Sequence, residues 1–226
     1  MNNTVRRLKN KVIVSCQAMP NEPLYAEACM AAMIKSVVKG GAGGLRVAGV
    51  RDVKNAKSIS DIPVIGITKP DVIPKNYKEI VYITPSLDDV IKLIDAGADI
   101  IAFDATLRKR PTPLPDMIKY IHINKKVAMA DVSTIEEGIE AAKLGVDLIS
   151  TTLAGYTVES ADSPSGPDFP LLEKLVKETS VPVILEGRIW EPSDVDKAFE
   201  LGAHAVVIGS AITRPQLITK RFVQRG

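Results

Sequence analysis

The stretch VPVILEGRIWEPSDVDKAFELGAHAVVIGSAITR, residues 181–214, decides how the rest of the chain is read. Its two apolar runs, VPVIL and AVVIG, each stop abruptly at a small-residue loop, EGR at 186–188 and GSAIT at 209–213. A segment of helical length separates them, so the pattern is strand, turn, helix, strand, turn. Strands joined through a helix pair in parallel. That pairing brings Gly187 and the Gly209–Ser210 pair to one edge, where their backbone N–H groups can hold a dianionic phosphate without a dedicated cation. Two such loops after the last two strands of a (β/α)8 barrel form the usual phosphate grip of that fold.

Outward from this stretch the chain repeats. One kind of unit opens with a turn and a proline or lysine: KVIVSC at 11, IPVIGI at 62, KKVAMAD at 125 and VPVILEG at 181. The other follows a helix that ends in glycine: GGLRVAG at 43, GADIIAFD at 97, GVDLIST at 145 and GAHAVVIG at 202. Glycine after a helix is the left-handed cap that turns the chain back to the sheet. The two kinds alternate four times, which predicts eight strands. Helical segments are expected at 24–38, 87–96, 113–121, 134–144, 169–179 and 193–201, with Asp168 and Ser193 as N-caps and Pro170 just inside its helix. Residues 82–85 look like a strand, but two prolines in PDVIPKNYKE at 70–79 assign the segment to a long loop on the catalytic face. Its reading as a true strand would instead give an open nine-stranded sheet.

Strand and helix in alternation predict a parallel sheet with right-handed crossovers, closed as a TIM barrel of eight units. The 226 residues suit one such domain, spanning 1–226, and leave no room for a second. Hydrophobic residues make up 46% and aromatics only 4%, so Ile, Val, Leu and Ala must build the core, as suits strands buried on both faces. The formal charge of +2 carries no basic stripe, which argues against nucleic acid. The basic start RRLKNK has no apolar region or cleavage site behind it and reads as a short helix on the barrel floor. No stretch is long enough for a membrane span. Cys16 and Cys29 show no metal or redox spacing and read as buried free thiols of a cytoplasmic protein.

In a barrel of this kind the side chains at the C-terminal strand ends face the active site. Those positions are Gln17, Arg46, Lys69, Asp104, Asp131, Thr152, Glu186 and the Gly209–Ser210 pair. Asp104 and Thr152 read equally well as braces. Lys69 and Glu186 follow directly on apolar runs that would desolvate them, which favours a chemical role. A metal site would need histidines and carboxylates converging at these ends. His122 and His204 fall on the opposite floor, so neither a metal nor another cofactor is expected. No GxSxG elbow, P-loop or GxGxxG sits in strand–loop–helix context.

These strand-end motifs carry a resemblance. SCQA at 15–18, GGLRVAG at 43–49, GITK at 66–69, FDAT at 103–106, MADVST at 129–134, STTLAGYT at 150–157, LEGRI at 185–189 and VIGSAITRP at 207–215 resemble the N-acetylmannosamine-6-phosphate 2-epimerases of bacterial sialic-acid breakdown. The resemblance spans nearly the whole chain. It implies a barrel of the ribulose-phosphate-binding type and a catalytic pair of Lys69 and Glu186. Gln17, Arg46 and Asp131 would hold the sugar, and Gly187, Gly209, Ser210 and Arg214 would line the phosphate end. The implied substrate is N-acetylmannosamine 6-phosphate, interconverted with N-acetylglucosamine 6-phosphate by metal-free removal and return of the C2 proton.

Two other classes fit the strand ends. A lysine there could form a Schiff base with a sugar aldehyde, as barrel aldolases do, and a silent phosphate-binding barrel could serve as a sensor. Other metal-free phosphosugar isomerases share the architecture. The last segment, 216–224, reads as shorter than the other helices and leaves Leu217, Ile218 and Phe222 for a neighbour, so a homodimer is expected.

Overall fold

The computed structural model describes residues 2–224. Eight parallel strands close in sequence order into a barrel: β1 Lys11–Cys16, β2 Gly44–Ala48, β3 Val64–Ile67, β4 Ile100–Asp104, β5 Val127–Asp131, β6 Leu148–Ser150, β7 Val183–Glu186 and β8 Ala205–Ile208. The expected TIM barrel is therefore the observed fold. Around it run α1 Asn3–Arg7, α2 Glu27–Lys39, α3 Gly49–Ile59, α4 Leu87–Asp95, α5 Leu114–Ile123, α6 Ile135–Lys143, α7 Phe169–Glu178, α8 Pro192–Glu200, α9 Ser210–Thr213 and α10 Pro215–Val223. Among the described residues no helix is long and apolar enough to cross a membrane.

Glycines set the return of each helix to the barrel. Gly41, Gly97, Gly145 and Gly202 take φ of +94°, +98°, +86° and +90°, a region that costs any other residue strain. In the first repeat the turning residue is thus Gly41, two positions before the GGLRVAG motif. Gly43 is small for a different reason: a Cβ there would lie 2.5 Å from the Cβ of Lys11.

Capping fixes the other helix ends. Ser86 and Asp89 form a capping box on α4, as Thr134 and Glu137 do on α6, and Asp168 accepts from Leu171 N at 3.0 Å. Ser193, expected as a cap, lies inside α8 instead. Pro192 opens that helix because its ring fixes a helical φ, and Asp194 reaches back to the N–H groups of Trp190 and Glu191, 3.2 Å each. The helix expected from residue 24 starts at Glu27, since Glu22 holds 19–25 in turns through Met19 N and Tyr25 N. Helix α3 has no counterpart in the sequence reading. It begins on Gly49 without a side-chain cap, and its mean hydropathy is low.

Residues 82–84 belong to a loop, as expected, and the reason they read as a strand is visible. Strands β3 and β4 share only two registered pairs, Ile65 with Ile100 and Gly66 with Ile101. Above them Thr84 N donates to Thr68 O at 3.2 Å and Asp104 N to Ile83 O at 3.2 Å, so the segment fills the widening gap.

Strand alternation builds two layers. Ile101, Phe103, Ala128, Ala130, Leu185 and Val206 point outward into the helices. Ile13, Ile65, Ile100, Met129, Leu148, Ile184 and Val207 fill the barrel interior. Val5 and Leu8, 1% and 0% exposed, plug the floor from α1, and His204 Nε2 lies 2.8 Å from Val5 O there. His122 pairs with Asp147 at 2.9 Å, also away from the strand C-termini. Cys16 is buried, but Cys29 on α2 is only half-buried, contrary to expectation, because it sits at the edge of the helix's core-facing stripe.

Ile100 is fully enclosed in the interior layer. Ile100→Ala should cost about 2–5 kcal/mol through lost contacts and the void left behind. In a chain of this size that lowers the melting temperature by roughly 5–15 °C. Thermal denaturation followed by circular dichroism checks this, and a shift under about 2 °C would contradict the packed interior.

Candidate active site

The inward parity that fills the barrel with aliphatic groups continues upward into polar ones. Ile13 leads to Ser15 and Gln17, Ile67 to Lys69, Met129 to Asp131, Ile184 to Glu186, and Val207 to Gly209. Each of these groups points toward the same mouth because side chains two apart share a face. Arg46 belongs to the same inward set but one layer lower, in register with Ser15 on β1 and Ile65 on β3.

A cavity of about 580 Å3 opens at this mouth. Of the residues expected to form the site, Gln17, Lys69, Glu186, Gly187, Gly209, Ser210 and Arg214 all line it. Arg46 and Asp131 do not. They lie directly beneath, 1% and 0% exposed.

Arg46 joins the carboxylates of two strands. It donates two hydrogen bonds to Asp131, at 2.5 and 3.1 Å, and its Nη1 lies 3.0 Å from Glu186 Oε2. Burial works against the guanidinium, but Asp131 and Glu186 outweigh it and hold Arg46 charged above the ordinary arginine value. The Thr152 hydroxyl sits among three acceptors: Asp131 Oδ1 at 2.8 Å, Ser150 Oγ at 2.8 Å and Glu186 Oε2 at 3.0 Å. Glu186 is thereby fixed from two sides while its carboxyl still faces the cavity. Burial raises its proton affinity, only partly opposed by Arg46.

Lys69, two residues past β3, lines the same cavity. Its Nζ donates to Gln17 Oε1 at 2.8 Å, and Gln17 Nε2 donates in turn to Ser15 Oγ at 2.8 Å. No ion pair joins Lys69 to Glu186 among the described residues. Burial is the main reason the amine is pulled down to about 8, and the positive charge of Arg46 adds to it. Glu186 and Asp131 pull the other way. The amine is thus half neutral about a unit above neutrality, held by a neutral amide, with a carboxyl of raised proton affinity in the same cavity.

β7 and β8 are registered neighbours, Glu186 opposite Val207, so the two glycine loops that line the cavity lie side by side. Gly187 takes φ +113°. Gly209 precedes α9, whose first N–H groups have no acceptor within their own helix. Thr213 Oγ1 donates to Ser15 O at 2.8 Å and ties α9 to β1. Arg214 is held at the rim by Glu22, 3.2 Å away.

Several site groups were not singled out by sequence. Ser15 lies inside an apolar run, and of the two readings open for Thr152 its contacts favour the brace, since its hydroxyl holds Glu186 at 3.0 Å. Arg188 follows Gly187 with φ +57°, unusual for arginine, and donates to Gly166 O and Ala154 O, 2.7 Å each. Tyr77, Tyr82, Tyr156 and Trp190 also line the cavity. They stand in loops, where no periodicity marks them. Asp104 is spoken for elsewhere, paired with Arg108 at 2.5 Å. Among the described residues no group of three or more His, Cys, Asp or Glu side chains is placed to hold a metal ion.

Comparison with known proteins bears on this geometry. Residues 30–225 match the family described as "Putative N-acetylmannosamine-6-phosphate epimerase". A protein of that description, with the 2-epimerase position specified, from Clostridioides difficile (strain 630) is 48% identical over 221 residues, 96% of each chain. Another from Caldanaerobacter subterraneus subsp. tengcongensis is 49% identical over 224 residues, 97% of this chain and 92% of the relative. The solved N-acetylmannosamine-6-phosphate 2-epimerase from Clostridium perfringens superposes with a TM-score of 0.92 at 45% identity, covering 98% of this chain and 96% of that one. Matches of this extent and a shared barrel place the chain in the N-acetylmannosamine-6-phosphate epimerase family of isomerases.

Proposed function

We propose that the chain interconverts N-acetylmannosamine 6-phosphate and N-acetylglucosamine 6-phosphate by inverting C2, in the breakdown of sialic acid (N-acetylneuraminate) in the cytoplasm. The observation that carries this reading is a half-buried amine with proton affinity lowered to about 8 that lines one cavity together with a pair of glycine loops.

C2 bears its hydrogen next to C1, so the opened sugar offers an aldehyde whose α-proton can be removed. Lys69, when neutral, takes that proton. The electrons of the C2–H bond move into the C1–C2 bond and the carbonyl π-electrons onto O1, giving an enolate that carries the acetamido group on C2. Return of a proton to the opposite face completes the inversion with no net redox change, and metal or redox cofactors are not called on. Glu186, poised by Arg46 and Thr152, serves as the proton-carrying partner. Arg46 supplies positive charge from beneath the floor as the oxyanion develops, and Asp131 keeps Arg46 in place. Gln17 orients Lys69 and the sugar's polar substituents. Gly187, Gly209, Ser210 and Arg214 take the phosphate, which fixes the distance from the anionic tail to the reacting carbon.

The full chain works in this reading as one domain and as a homodimer. The segment thought to be short is α10, nine residues long and equal to α4, α6 and α8. What supports a neighbour is its exposure: α10 contributes no buried residue, and Phe222 and Val223 are 73% and 74% exposed.

Incubation in heavy water should place deuterium at C2 of both sugars, with a chelator leaving the rate unchanged. Lys69→Ala should abolish label and turnover together, by at least about a thousandfold. Borohydride trapping of a sugar on Lys69, with no label at C2, would replace this reading by a Schiff-base aldolase. Because the base acts when neutral, kcat/KM should show a rising limb with its midpoint near 8. A flat profile from pH 6 to about 10, set by the ordinary lysine range, would remove Lys69 as the base. Sedimentation velocity at micromolar concentration should show a dimer, and a monomer there would end the dimer proposal.

A further inference from the structure

The loop between β3 and α4, residues 68–86, holds Lys69 near its start and carries Ile73, Tyr77, Tyr82 and Ile83 into the cavity wall. Its base is closed by Thr84 N to Thr68 O at 3.2 Å and Thr68 N to Thr84 Oγ1 at 3.1 Å. Between these ends the backbone makes only local turns, Tyr77 N to Pro74 O at 3.1 Å and Glu79 N to Asn76 O at 2.9 Å. One side chain reaches residues 70–82 from elsewhere by hydrogen bonding among the described residues. Arg108 Nη1 donates to Tyr77 O at 3.0 Å and to Lys78 O at 3.1 Å.

That guanidinium is itself fully committed. Its Nη2 lies 2.5 Å from Asp104 Oδ2 and its Nε 2.9 Å from Thr106 Oγ1, with Arg108 6% exposed and Asp104 0%. Asp104 Oδ1 accepts from Thr106 N at 3.0 Å and from its hydroxyl at 2.7 Å, and Arg110 donates to the carbonyls of Asp104 and Thr106. The strand-end carboxylate of β4 therefore serves an anchor, and the anchor ends on the loop that walls the reacting amine. We propose that Arg108 is a positioning residue for the reaction, pinning the β3–α4 loop over the barrel mouth so that the cavity around Lys69 stays dry.

This rests on the reading of Lys69 as the base. The charged groups facing that amine are Arg46 from β2, Asp131 from β5, Glu186 from β7 and Arg214 from the α9–α10 junction, with neutral Gln17 bonded to it from β1. All of them stay in place when the loop lifts, whereas burial, the largest influence on the amine, does not. Water admitted by a loose loop moves the amine back toward the ordinary lysine range, so less of it is neutral at pH 7.

The test compares the wild-type chain with Arg108→Gln and Arg108→Lys. Arg108→Gln should raise KM, lower kcat/KM about tenfold at pH 7, and move the rising limb of the pH profile up by about one unit, so that the deficit shrinks toward high pH. Amide hydrogen exchange should quicken in peptides covering 70–82 and not in the strands. Arg108→Lys, which keeps the charge but lacks the fork that spans two carbonyls and a carboxylate, should fall between. A pH midpoint identical to wild type with exchange unchanged at 70–82, or exchange quickened throughout the barrel, would overturn the proposal. Should Arg108→Gln not fold, the same two readouts on Arg108→Lys decide it. A wild type that fails to exchange C2 would count against the epimerase reading alone, because hydrogen exchange reports the pinning of the loop directly.

Discussion

A buried guanidinium shared between two carboxylates sits at the centre of this molecule. Arg46 enters from β2, Asp131 from β5 and Glu186 from β7, and the distances of 2.5 to 3.1 Å join strands that are not neighbours in the barrel. Such a group is costly to bury and costly to disturb, since removal of either sign leaves an uncompensated charge in the interior. Its effect on chemistry is indirect. Arg46 sets the carboxyl of Glu186 at the cavity surface and adds positive potential beside Lys69, whose own burial already disfavours the ammonium. One arrangement therefore moves the amine toward the neutral form and fixes the Glu186 carboxyl in the same cavity.

The barrel makes this possible by alternation. Each inward face runs through aliphatic residues, Ile13, Ile65, Ile100, Met129 and Ile184, before it reaches polar ones. The lower layers are dry and tightly filled, so the polar layer rests on a rigid base of low polarity, where electrostatic interactions are strong. The loops above do the opposite. They contribute aromatic groups and glycine backbone, and they are held by a small number of side chains: Arg108 for residues 70–82, Arg188 for the loop after β6, Glu22 for Arg214. Rigid chemistry below and adjustable walls above is the division of labour expected of this fold.

Much of the architecture was legible in the chain because backbone constraints leave marks on composition. Glycines at 97, 145 and 202 are required by positive φ, and apolar runs of four to six residues between them are strands by length alone. The strand-end rule then located Gln17, Lys69, Glu186 and the Gly209–Ser210 pair in one cavity. Depth was not legible. Arg46 looked like any strand-end residue, and its place one layer lower follows from barrel register, a property of pairing between strands. The partner of Glu186 was equally hidden, since Arg46 and Thr152 reach it through space from positions far apart in sequence. Helix α3 was missed because it is polar overall and its start carries no side-chain cap, although Val53 and Ala56 turn one face into the core. The link from Asp104 through Arg108 to Tyr77 joins the end of β4 to the β3–α4 loop across 31 residues of sequence and is visible only in coordinates.

The central claim is that burial at the barrel mouth, with Arg46 beside it, lowers the proton affinity of the Lys69 amine. The most direct measurement is an NMR titration of the chain carrying 13C at the lysine Cε positions, repeated on Lys69→Met to assign the signal. One resonance should titrate near 8 and vanish in the variant. Titration of every lysine in the ordinary range near 10.4 would contradict the account, since the amine would then be neither desolvated nor available as a base.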